Sequence, residues 1–485
     1  MKSSLKKACL HHLRDTFGLK DYRPGQREAV QAILSGRDVL CILPTGAGKS
    51  LCWQLPAVVH DGLTLVVSPL IALMHDQVRH LKEAGVPAAS LDSLMTPPEK
   101  DAAVQLIRQG RVRIVFVSPE RLEQPGFRKL CQDMKPWLIV VDEAHCAVHW
   151  GESFRPAYQG IPGFIAALPV RPVICALTAT ADERMQHDIR VQLGMRRMKR
   201  VMLPIVRENL IHEVRTTLDR TREILRFVQA ADGKTVIFCR SRARAQTLSG
   251  LLAANGRRSL FYHAGMNREE RLAAQEMFMS GHVDILCATS AFGLGVDIPD
   301  IRVVIHDYLP DSLSDYIQQS GRGGRDGKPA RCLLFLEPNE LVNKAMIPRR
   351  AKDRLKRSPI KRWFCLRKKW RELRQVMSVL MAGQCIPAAA AEAFGHKADP
   401  CGCCSACQGG RLICKAPSFA GMKEWQIRAW ILQWQRDALA RKHKCAPREI
   451  LSDAAIRMGA RYYVFPSDVP AREEMTRLLA HFRRE

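Results

Sequence analysis

A glycine-rich turn between an apolar run and a helix limits the possible folds of this chain more than any other stretch. Residues 38–43 form a short apolar run, residues 44–50 read Pro-Thr-Gly-Ala-Gly-Lys-Ser, and a helical stretch begins at Leu51. Small residues in such a turn let backbone N–H groups approach phosphate oxygens, and the following helix N-terminus faces the negative charge. The strict phosphate-loop pattern has glycine where this chain has Leu43. A turn that binds nothing is the alternative, but the position between strand and helix favours a phosphate loop.

The residues of this loop predict contacts to a nucleoside triphosphate and its metal ion. Thr45, Gly46 and Gly48 belong to the part that would surround the phosphates. Lys49 can reach the β- and γ-phosphates, and the Ser50 hydroxyl can ligate Mg²⁺. ATP and Mg²⁺ are therefore the predicted cofactors.

Two carboxylates follow another apolar run. Residues 138–141 read as a buried parallel strand, and Asp142 and Glu143 stand at its carboxyl end, where open α/β sheets bind ligands. A phosphate-loop enzyme needs a second acidic ligand for Mg²⁺ on a neighbouring strand, and we assign this role to Asp142. Glu143, on the opposite side of an extended chain, would position or deprotonate the attacking water. A buried acidic turn is the alternative.

Short apolar runs and amphipathic stretches alternate twice along the chain, with a break near Leu203-Pro204-Ile205. Alternation of this kind predicts parallel α/β sheets. The strand candidates are residues 38–43, 63–67, 112–117, 138–141 and 173–177 in the first half, and 235–238, 259–262, 284–288, 303–306 and 332–336 in the second. The predicted fold is α/β, with two parallel-sheet lobes at 1–205 and 206–340. A basic helical module at 341–410 and a helical tail at 411–485 would follow.

The charge of the chain indicates its class of partner. Lys and Arg total 75 against 48 Asp and Glu, a net charge of +27. Nucleic acid is the first candidate for the polyanion and an anionic membrane the second. We see no membrane-spanning stretch and no secretory signal, so the 17 cysteines are expected to be thiols or metal ligands. The predicted location is cytoplasmic, or the nucleoid or nucleus.

A second basic motif lies in the second predicted lobe. Residues 318–325 read Gln-Gln-Ser-Gly-Arg-Gly-Gly-Arg, so that Arg322 and Arg325 flank two glycines. Arginine presents a fixed fork of donors to phosphate oxygens. Supplied by a second lobe, such a side chain acts as a finger that completes a phosphate site on closure. A basic surface turn is the alternative.

With these motifs in place, the chain resembles the RecQ family of superfamily-two DNA helicases. The stretch most specific to that family is 145–158, His-Cys-Ala-Val-His-Trp-Gly-Glu-Ser-Phe-Arg-Pro-Ala-Tyr, which is similar to its aromatic-rich loop. The family usually has Ser-Gln where this chain has Val148-His149. The matching motifs follow the family's order between about residue 17 and about residue 340, at 22–26, 44–50, 68–74, 118–121, 142–145, 177–181, 262–265, 288–297 and 318–325.

The resemblance implies that the lobes at 1–205 and 206–340 are RecA-like and that the module at 341–410 binds zinc. It also implies further site residues. Gln26 would bind the adenine edge with Arg23 beside it, and Gln318 would join the nucleotide site. Trp150 and Phe154, in the aromatic loop, suit stacking on bases, a contact worth ~1–3 kcal/mol per base. The alternative is that these rings pack in the core, and it applies more to Phe154 than to Trp150. The residues that would contact DNA or couple it to hydrolysis are His145, Trp150, Phe154, Arg155, Thr178, Thr180, His263 and Thr289.

A cysteine cluster predicts a structural zinc site. Cys401, Cys404 and Cys407 form two overlapping Cys-x-x-Cys steps, a spacing at which tight turns supply tetrahedral ligands. The resemblance implies Cys385 as the fourth ligand, because it precedes Ala-Phe-Gly as the family's first zinc cysteine does. A redox pair and free buried thiols are the alternatives to zinc. The rival ligands are Cys365, Cys403 and Cys414.

The tail resembles the start of the helical accessory domain, of HRDC type, that many family members carry. Between Cys407 and Trp425 there is no room for the family's winged helix. A shortened accessory domain and a degenerate winged helix both stay open for residues 411–485.

The resemblance therefore implies an ATP- and Mg²⁺-dependent DNA helicase that moves 3′ to 5′ on single-stranded DNA in recombination and repair. Its expected partners are single-stranded and forked DNA, and possible single-strand-binding or repair proteins, but no membrane. Three alternatives stay open. They are an RNA helicase, a DNA-binding or strand-annealing protein with a vestigial ATPase, and a translocase that does not unwind.

Overall fold

In a computed structural model, the described part of the chain forms two compact units. The first consists of the described residues up to 207 together with 394–396, and the second consists of the other described residues. The structure describes residues 3–44, 46–69, 71–93, 95–148, 156–205, 207–217, 219–292, 298–337, 340, 359–381, 383–409, 424–443 and 456.

The first unit alternates strands and helices from its N-terminus. Its strands are β1 (Val39–Ile42), β2 (Thr64–Val67), β3 (Ala88–Leu91), β4 (Ile114–Val117), β5 (Leu138–Val141), β6 (Val173–Thr178) and β7 (Lys199–Met202). Its helices are α1 (Ser3–Asp15), α2 (Gln26–Leu34), α3 (Leu51–Val59), α4 (Ile71–Glu83), α5 (Pro97–Arg108), α6 (Pro125–Met134), α7 (Ile161–Ala166) and α8 (Glu183–Gln192). Short 3-10 helices occur at Pro119–Glu123, Ala144–Ala147 and Pro156–Gly160.

The second unit continues the same alternation before it becomes helical. Its strands are β8 (Leu210–Thr216), β9 (Lys234–Phe238), β10 (Ser259–Tyr262), β11 (Ile285–Ala288), β12 (Ile301–His306) and β13 (Ala330–Leu336). Its helices are α9 (Arg220–Gln229), α10 (Arg242–Ala254), α11 (Arg268–Met279), α12 (Leu313–Ser320), α13 (Pro359–Leu380), α14 (Ile386–Ala393) and α15 (Glu424–His443).

The first sheet has seven strands in the order β3-β4-β2-β5-β6-β1-β7, and all of its pairings are parallel. Side chains alternate between its two faces: Ile139 and Val141 of β5 join one buried cluster, and Leu138 and Val140 join the other. Burial on both faces explains why β5 is apolar at every position. Since β1, β6 and β5 are neighbours, the segments that leave their carboxyl ends gather at one edge of the sheet.

The second sheet has six parallel strands in the order β10-β11-β9-β12-β13-β8. β8 is an outer strand that pairs with β13 along all seven residues, Leu210–Thr216. The segment between β12 and β13, which contains α12 and the predicted arginines, therefore returns to a strand beside β8.

The predicted fold class is confirmed: two parallel-sheet lobes precede helices and a cysteine cluster. The sequence-based strands match ten of the thirteen strands in the described part of the chain, and β3, β7 and β8 were not predicted. Part of 341–410 and most of 411–485 lie outside the described residues, so the four-part domain division stays a prediction. In the described part, no helix is both long and apolar enough to cross a membrane.

Candidate nucleotide-binding site and arginine turn

The phosphate loop connects β1 to α3. Its first residue, Leu43, donates its N–H to the Thr178 carbonyl of β6 at 3.1 Å, so the loop leaves the sheet beside the carboxyl end of β6. Gly46 and Gly48 have φ angles of +86° and +78°, which favour glycine over any residue with a side chain. This backbone path supports the predicted phosphate site. Thr45 lies outside the described residues.

The two polar side chains at the end of the loop lie beside the start of α3. Lys49 Nζ donates to the Leu43 carbonyl at 3.3 Å, which folds the amine back over the loop. Ser50 directly precedes Leu51, the first residue of the helix. A cation and a hydroxyl at a helix N-terminus can both act on phosphate oxygens and their metal ion.

Gln26 and Arg23 contact the phosphate loop from the N-terminal side. Gln26 is buried, and its Nε2 donates to the Gly48 carbonyl at 3.0 Å while its Oε1 accepts from the Arg23 N–H at 2.8 Å. The Arg23 guanidinium donates to the Gly46 carbonyl at 2.8 Å. Both residues thus hold the loop backbone. The role of Gln26 in adenine binding stays a prediction.

Asp142 follows β5 at the same edge of the sheet. Its Oδ1 accepts the Glu143 N–H at 3.0 Å, and its Oδ2 lies 3.5 Å from the Ser68 hydroxyl. Glu143 has φ +47° and ψ +48°, in the left-handed region. The prediction that these two residues share an extended chain was therefore wrong, because the backbone turns at Glu143 into a 3-10 helix.

Burial, and after it the charge of Glu143, raises the pKa of Asp142, Lys49 lowers it, and the net result is a pKa of about 6. A divalent cation between Asp142 and the loop would offset the repulsion between these two carboxylates. Carboxylate and hydroxyl oxygens are the hard ligands that Mg²⁺ prefers, so Asp142 and Ser50 fit this ion.

A chain of contacts leads from Glu143 to the end of β6. Glu143 Oε2 lies 3.3 Å from His145 Nδ1, which in turn lies 3.3 Å from the Thr178 hydroxyl. The Thr178 hydroxyl donates to the Thr180 carbonyl at 3.0 Å. Burial lowers the pKa of His145, but contacts with Cys146 and Glu143 outweigh it and raise the pKa to about 10. The structure thus brings three of the predicted coupling residues together beside Glu143.

The aromatic loop, residues 145–158, is described at its two ends, 145–148 and 156–158. The hydroxyl of Tyr158, a fully buried residue, donates to the backbone carbonyl of Asp142 at 2.9 Å. The end of the loop is therefore tied to the proposed metal ligand, a contact that the sequence analysis did not assign. His149, Trp150, Phe154 and Arg155 lie outside the described residues.

In the second unit, α12 runs directly into residues 321–328, which we call the arginine turn because they contain Arg322 and Arg325. Gly321 N–H donates to the Ile317 carbonyl at 2.8 Å, and Arg322 N–H donates to the Gln319 carbonyl at 3.1 Å. Arg322 is buried, whereas Gln318 and Arg325 are half-buried. The turn is thus an ordered continuation of the helix.

Two predicted DNA-path residues lie at the carboxyl ends of β10 and β11. His263 is buried, stacks on Phe261 with ring centroids 5.4 Å apart, and has Nε2 3.1 Å from Gln246 Nε2. The Thr289 N–H donates to the Tyr262 carbonyl at 3.1 Å. Their contact with DNA stays a prediction.

Four cysteines come together between the end of α13 and the segment after α14. The Sγ atoms of Cys385, Cys401, Cys404 and Cys407 all lie within 4.8 Å of one another. Tetrahedral thiolates at ~2.3 Å from zinc would lie roughly 3.8 Å apart, so the set fits this ion. Cys403 is not in the cluster, the Cys365 side chain and Cys414 lie outside the described residues, and the ligand set stays a prediction.

Residues 401–407, which we call the cysteine turn, lie against the second sheet. The Ser405 N–H donates to the His212 carbonyl at 2.9 Å, and the Ser405 hydroxyl accepts the Val214 N–H at 3.1 Å. These bonds lie on β8, the outer strand, and so the turn covers its edge.

Two residues that were not predicted from the sequence contact the arginine turn or the helix before it. Asn209 precedes β8, and His212 lies within it. The signal was a period-two pattern in Leu-Ile-His-Glu-Val, where alternate residues are buried. The pattern was missed because His212 occupies a core position that is usually apolar.

Comparison with known proteins gives a consistent result along both units. A model described as DEAD/DEAH box helicase matches residues 23–189, and one described as helicase conserved C-terminal domain matches residues 217–327. Among solved structures, Mycobacterium smegmatis helicase Lhr, bound to ssDNA and AMP-PNP, has a TM-score of 0.56 at 20% identity, over 81% of this chain and 55% of that one. Dbp5 of S. cerevisiae, bound to RNA and ADP BeF3, has a TM-score of 0.58 at 18% identity, over 70% of this chain and 88% of that one. At these identities the likeness shows the fold alone.

Curated relatives share more sequence. ATP-dependent DNA helicase RecQ of Haemophilus influenzae is 38% identical over 69% of this chain and 54% of that protein. RecQ of Bacillus subtilis is 34% identical over 81% of this chain and 65% of that protein, and the probable helicase RecS of B. subtilis is 37% identical over 67% and 66%. The chain therefore spans between about half and two thirds of the length of these relatives. Since both helicase models and these relatives agree in order along the chain, the protein belongs to the RecQ family of helicases.

Proposed function

We propose that this chain is an ATP-dependent DNA helicase that moves 3′ to 5′ along single-stranded DNA and separates duplex DNA in recombination and repair. One observation carries the proposal: in a RecQ-family chain, the phosphate loop with Lys49 folded over it follows β1, and Asp142 follows β5, in the same parallel sheet. Both groups stand at the carboxyl edge of one parallel sheet, where such sheets bind ligands.

The first unit would bind and hydrolyse ATP. Lys49 would hold the β- and γ-phosphates, and Ser50 and Asp142 would hold Mg²⁺, which supplies neutralising charge to the phosphates. Glu143 is close to Asp142 and contacts His145, and it would orient the attacking water and accept its proton. Arg23, Gln26 and the loop glycines would set the position of the nucleotide.

The second unit would supply Arg322 and Arg325 to the charge that develops on the γ-phosphate. Gln318, one turn earlier on α12, would contact the same nucleotide. A structural zinc ion on the four clustered cysteines would hold the module that follows, since four thiolates leave no open position for chemistry.

DNA is the proposed nucleic acid, single-stranded or forked. The net charge of +27 supports a polyanionic partner, and binding through phosphates would be salt-sensitive and nearly sequence-blind. The names of the relatives support DNA over RNA, and the polarity is an inference from family resemblance. Contacts from the aromatic loop, His263 and Thr289, partner proteins of the single-strand-binding or repair type, and a cytoplasmic or nucleoid location belong to the same proposal.

Lys49→Ala tests the nucleotide site. We expect DNA-stimulated hydrolysis to fall at least about 100-fold, because the lysine is the cation proposed for the γ-phosphate. Lys82→Ala on α4, an exposed lysine, is the matched control and should hydrolyse ATP like the unchanged chain. Full activity of Lys49→Ala would remove the site assignment.

Substrate class and polarity need separate measurements. ATP hydrolysis should rise with single-stranded DNA and much less with RNA of the same sequence. A duplex with a 3′ tail should be unwound, and one with a 5′ tail should not. Equal stimulation by RNA would favour an RNA helicase, and hydrolysis with movement but without strand separation would favour a translocase.

A further inference from the structure

The arginine turn is fastened at its far end by a side chain from another part of the chain. Asn209 stands immediately before β8, and its Nδ2 donates to the Gly324 carbonyl at 2.9 Å and to the Lys328 carbonyl at 2.7 Å. Its own carbonyl accepts the Ala330 N–H at 2.9 Å, at the start of β13. A single amide group thus joins both sides of the loop between Arg322 and β13.

The fit around Gly324 shows how closely this amide is held. Gly324 has φ +51°, and a Cβ there would come within 2.4 Å of the Lys328 carbonyl oxygen and 2.6 Å of Asn209 Nδ2. The Gly324 N–H donates to the Ile301 carbonyl at 2.8 Å. The backbone next to Arg325 is therefore fixed from two directions, and Asn209 supplies one of them.

The near end of the same segment is fastened from β8 as well. Tyr316 of α12 is fully buried, and its hydroxyl lies 2.8 Å from Nδ1 of His212, which is also buried. Four residues after Tyr316 the helix ends, and Arg322 follows within the same hydrogen-bonded run. This contact joins α12, and through it the segment that carries Arg322, to β8.

A buried tyrosine hydroxyl usually finds a partner, and an asparagine often closes a turn, so each contact alone is compatible with plain structural roles. The arrangement of the two contacts together indicates a functional role as well. Asn209 and His212 are three residues apart, and they fix the two ends of one short segment, which carries both proposed phosphate-binding arginines.

We propose that Asn209 is a positioning residue for Arg325 and that His212 is a positioning residue for Arg322. The inference rests on the proposed function, in which these arginines act on the γ-phosphate. A displacement of about 1 Å in a group that stabilises a transition state can cost on the order of 100-fold in rate, so a loosened turn should lower the rate of hydrolysis.

Asn209→Asp is the first test, because aspartate has the same shape but no N–H donors. In the full chain with single-stranded DNA, we expect kcat for ATP hydrolysis to fall by about 10- to 100-fold. KM for ATP and the affinity for single-stranded DNA should stay within about 2-fold, because neither depends on the arginines alone. Amide hydrogen exchange in residues 321–328 should become faster.

Asn255→Asp is the matched control. Asn255 is an exposed asparagine of the same unit, and its Nδ2 donates to the Leu251 carbonyl at 2.8 Å at the end of α10. This variant should keep its kcat and its exchange in residues 321–328.

A double variant separates positioning from general damage. Arg325→Ala should lower kcat strongly, and adding Asn209→Asp should produce little further loss, because the amide would act through an arginine that is gone. Tyr316→Phe removes the hydroxyl that faces His212 and keeps the ring, and we expect a smaller fall in kcat, about 3- to 10-fold.

Three outcomes would overturn the inference: unchanged exchange in Asn209→Asp, an unchanged kcat where Arg325→Ala is impaired, or fully additive losses in the double variant. A wild-type chain without DNA-stimulated hydrolysis would instead overturn the proposed function. The exchange measurement would in that case still decide whether Asn209 holds the turn.

Discussion

Gly48 shows how closely single residues of the phosphate loop are fitted to their surroundings. Its φ of +78° favours glycine, and a Cβ there would lie 2.5 Å from Gln26 Nε2. Gln26 is itself buried and bonded to Arg23, so it has little freedom to move away. Glycine is therefore favoured at this position for two reasons: its backbone conformation is left-handed, and there is no room for a Cβ atom beside Gln26.

Gly48→Ala should weaken nucleotide binding. We expect KM for ATP to rise about tenfold or more, because the loop has to move away from Gln26. Gly85→Ala is the control, since Gly85 has φ +75° but a Cβ added there would meet no atom within 4 Å. Both changes carry a left-handed strain of about 1 kcal/mol, so only the steric contact distinguishes them. Equal KM values for the two variants would contradict this explanation.

At the scale of elements, the contact between the turn after β5 and the end of β6 joins the two segments predicted to couple hydrolysis to movement. His145 belongs to the first segment and Thr178 to the second, and their side chains lie 3.3 Å apart. The Thr178 hydroxyl also fixes the Thr180 carbonyl. A change at the acidic turn can therefore reach the segment after β6 through one hydroxyl group.

Thr178→Val removes that hydroxyl and preserves the shape of the side chain. We expect ATP hydrolysis to fall by less than about 10-fold and duplex unwinding to fall by much more, as measured on the same preparation. Thr64→Val on β2 is the matched control: its buried hydroxyl has no hydrogen-bond partner among the described residues, and the change should leave both activities intact. Parallel losses of hydrolysis and unwinding in Thr178→Val would argue against a coupling role.

The elements also show what sequence can predict. Central strands such as β5 are buried on both faces and read as continuous apolar runs, so they were predicted. The three missed strands, β3, β7 and β8, are outer strands with mixed burial, which weakens their pattern. At the site, the glycines and acids were predictable because their chemistry is local. The bonds of Gln26, Tyr158 and Asn209 join distant segments, and no local pattern indicates them.

At the scale of the whole molecule, two features act on stability and binding: a large positive charge and buried ionisable groups. The excess of 27 positive charges favours polyanions and is sensitive to salt. In the second unit, His212 and His306 are both buried, near Tyr316. Burial lowers the pKa of His212 to about 4 and that of His306 to about 3.

Acid should therefore destabilise the second unit. Because the unfolded chain binds a proton at pH ~6.5, the contribution of His212 is complete above that pH and is lost as the pH falls towards 4, in total about 3 kcal/mol. Between pH 7.5 and 5.0, His212→Gln should show a smaller drop in melting temperature than the unchanged chain. His80→Gln, an exposed change on α4, should behave like the unchanged chain. Identical drops in all three would contradict the prediction.

The contact of Ser405 with β8 has a consequence for shortened versions of the protein. β8 is seven residues long and pairs with β13 on one side only, and Ser405 uses two of the backbone groups on its other side. A chain cut after residue 340 would keep both sheets but lose that cover. Exposed strand edges pair readily with other chains, so such a version should self-associate. By covering this edge, the cysteine turn would reduce aggregation, independently of any role in helicase activity.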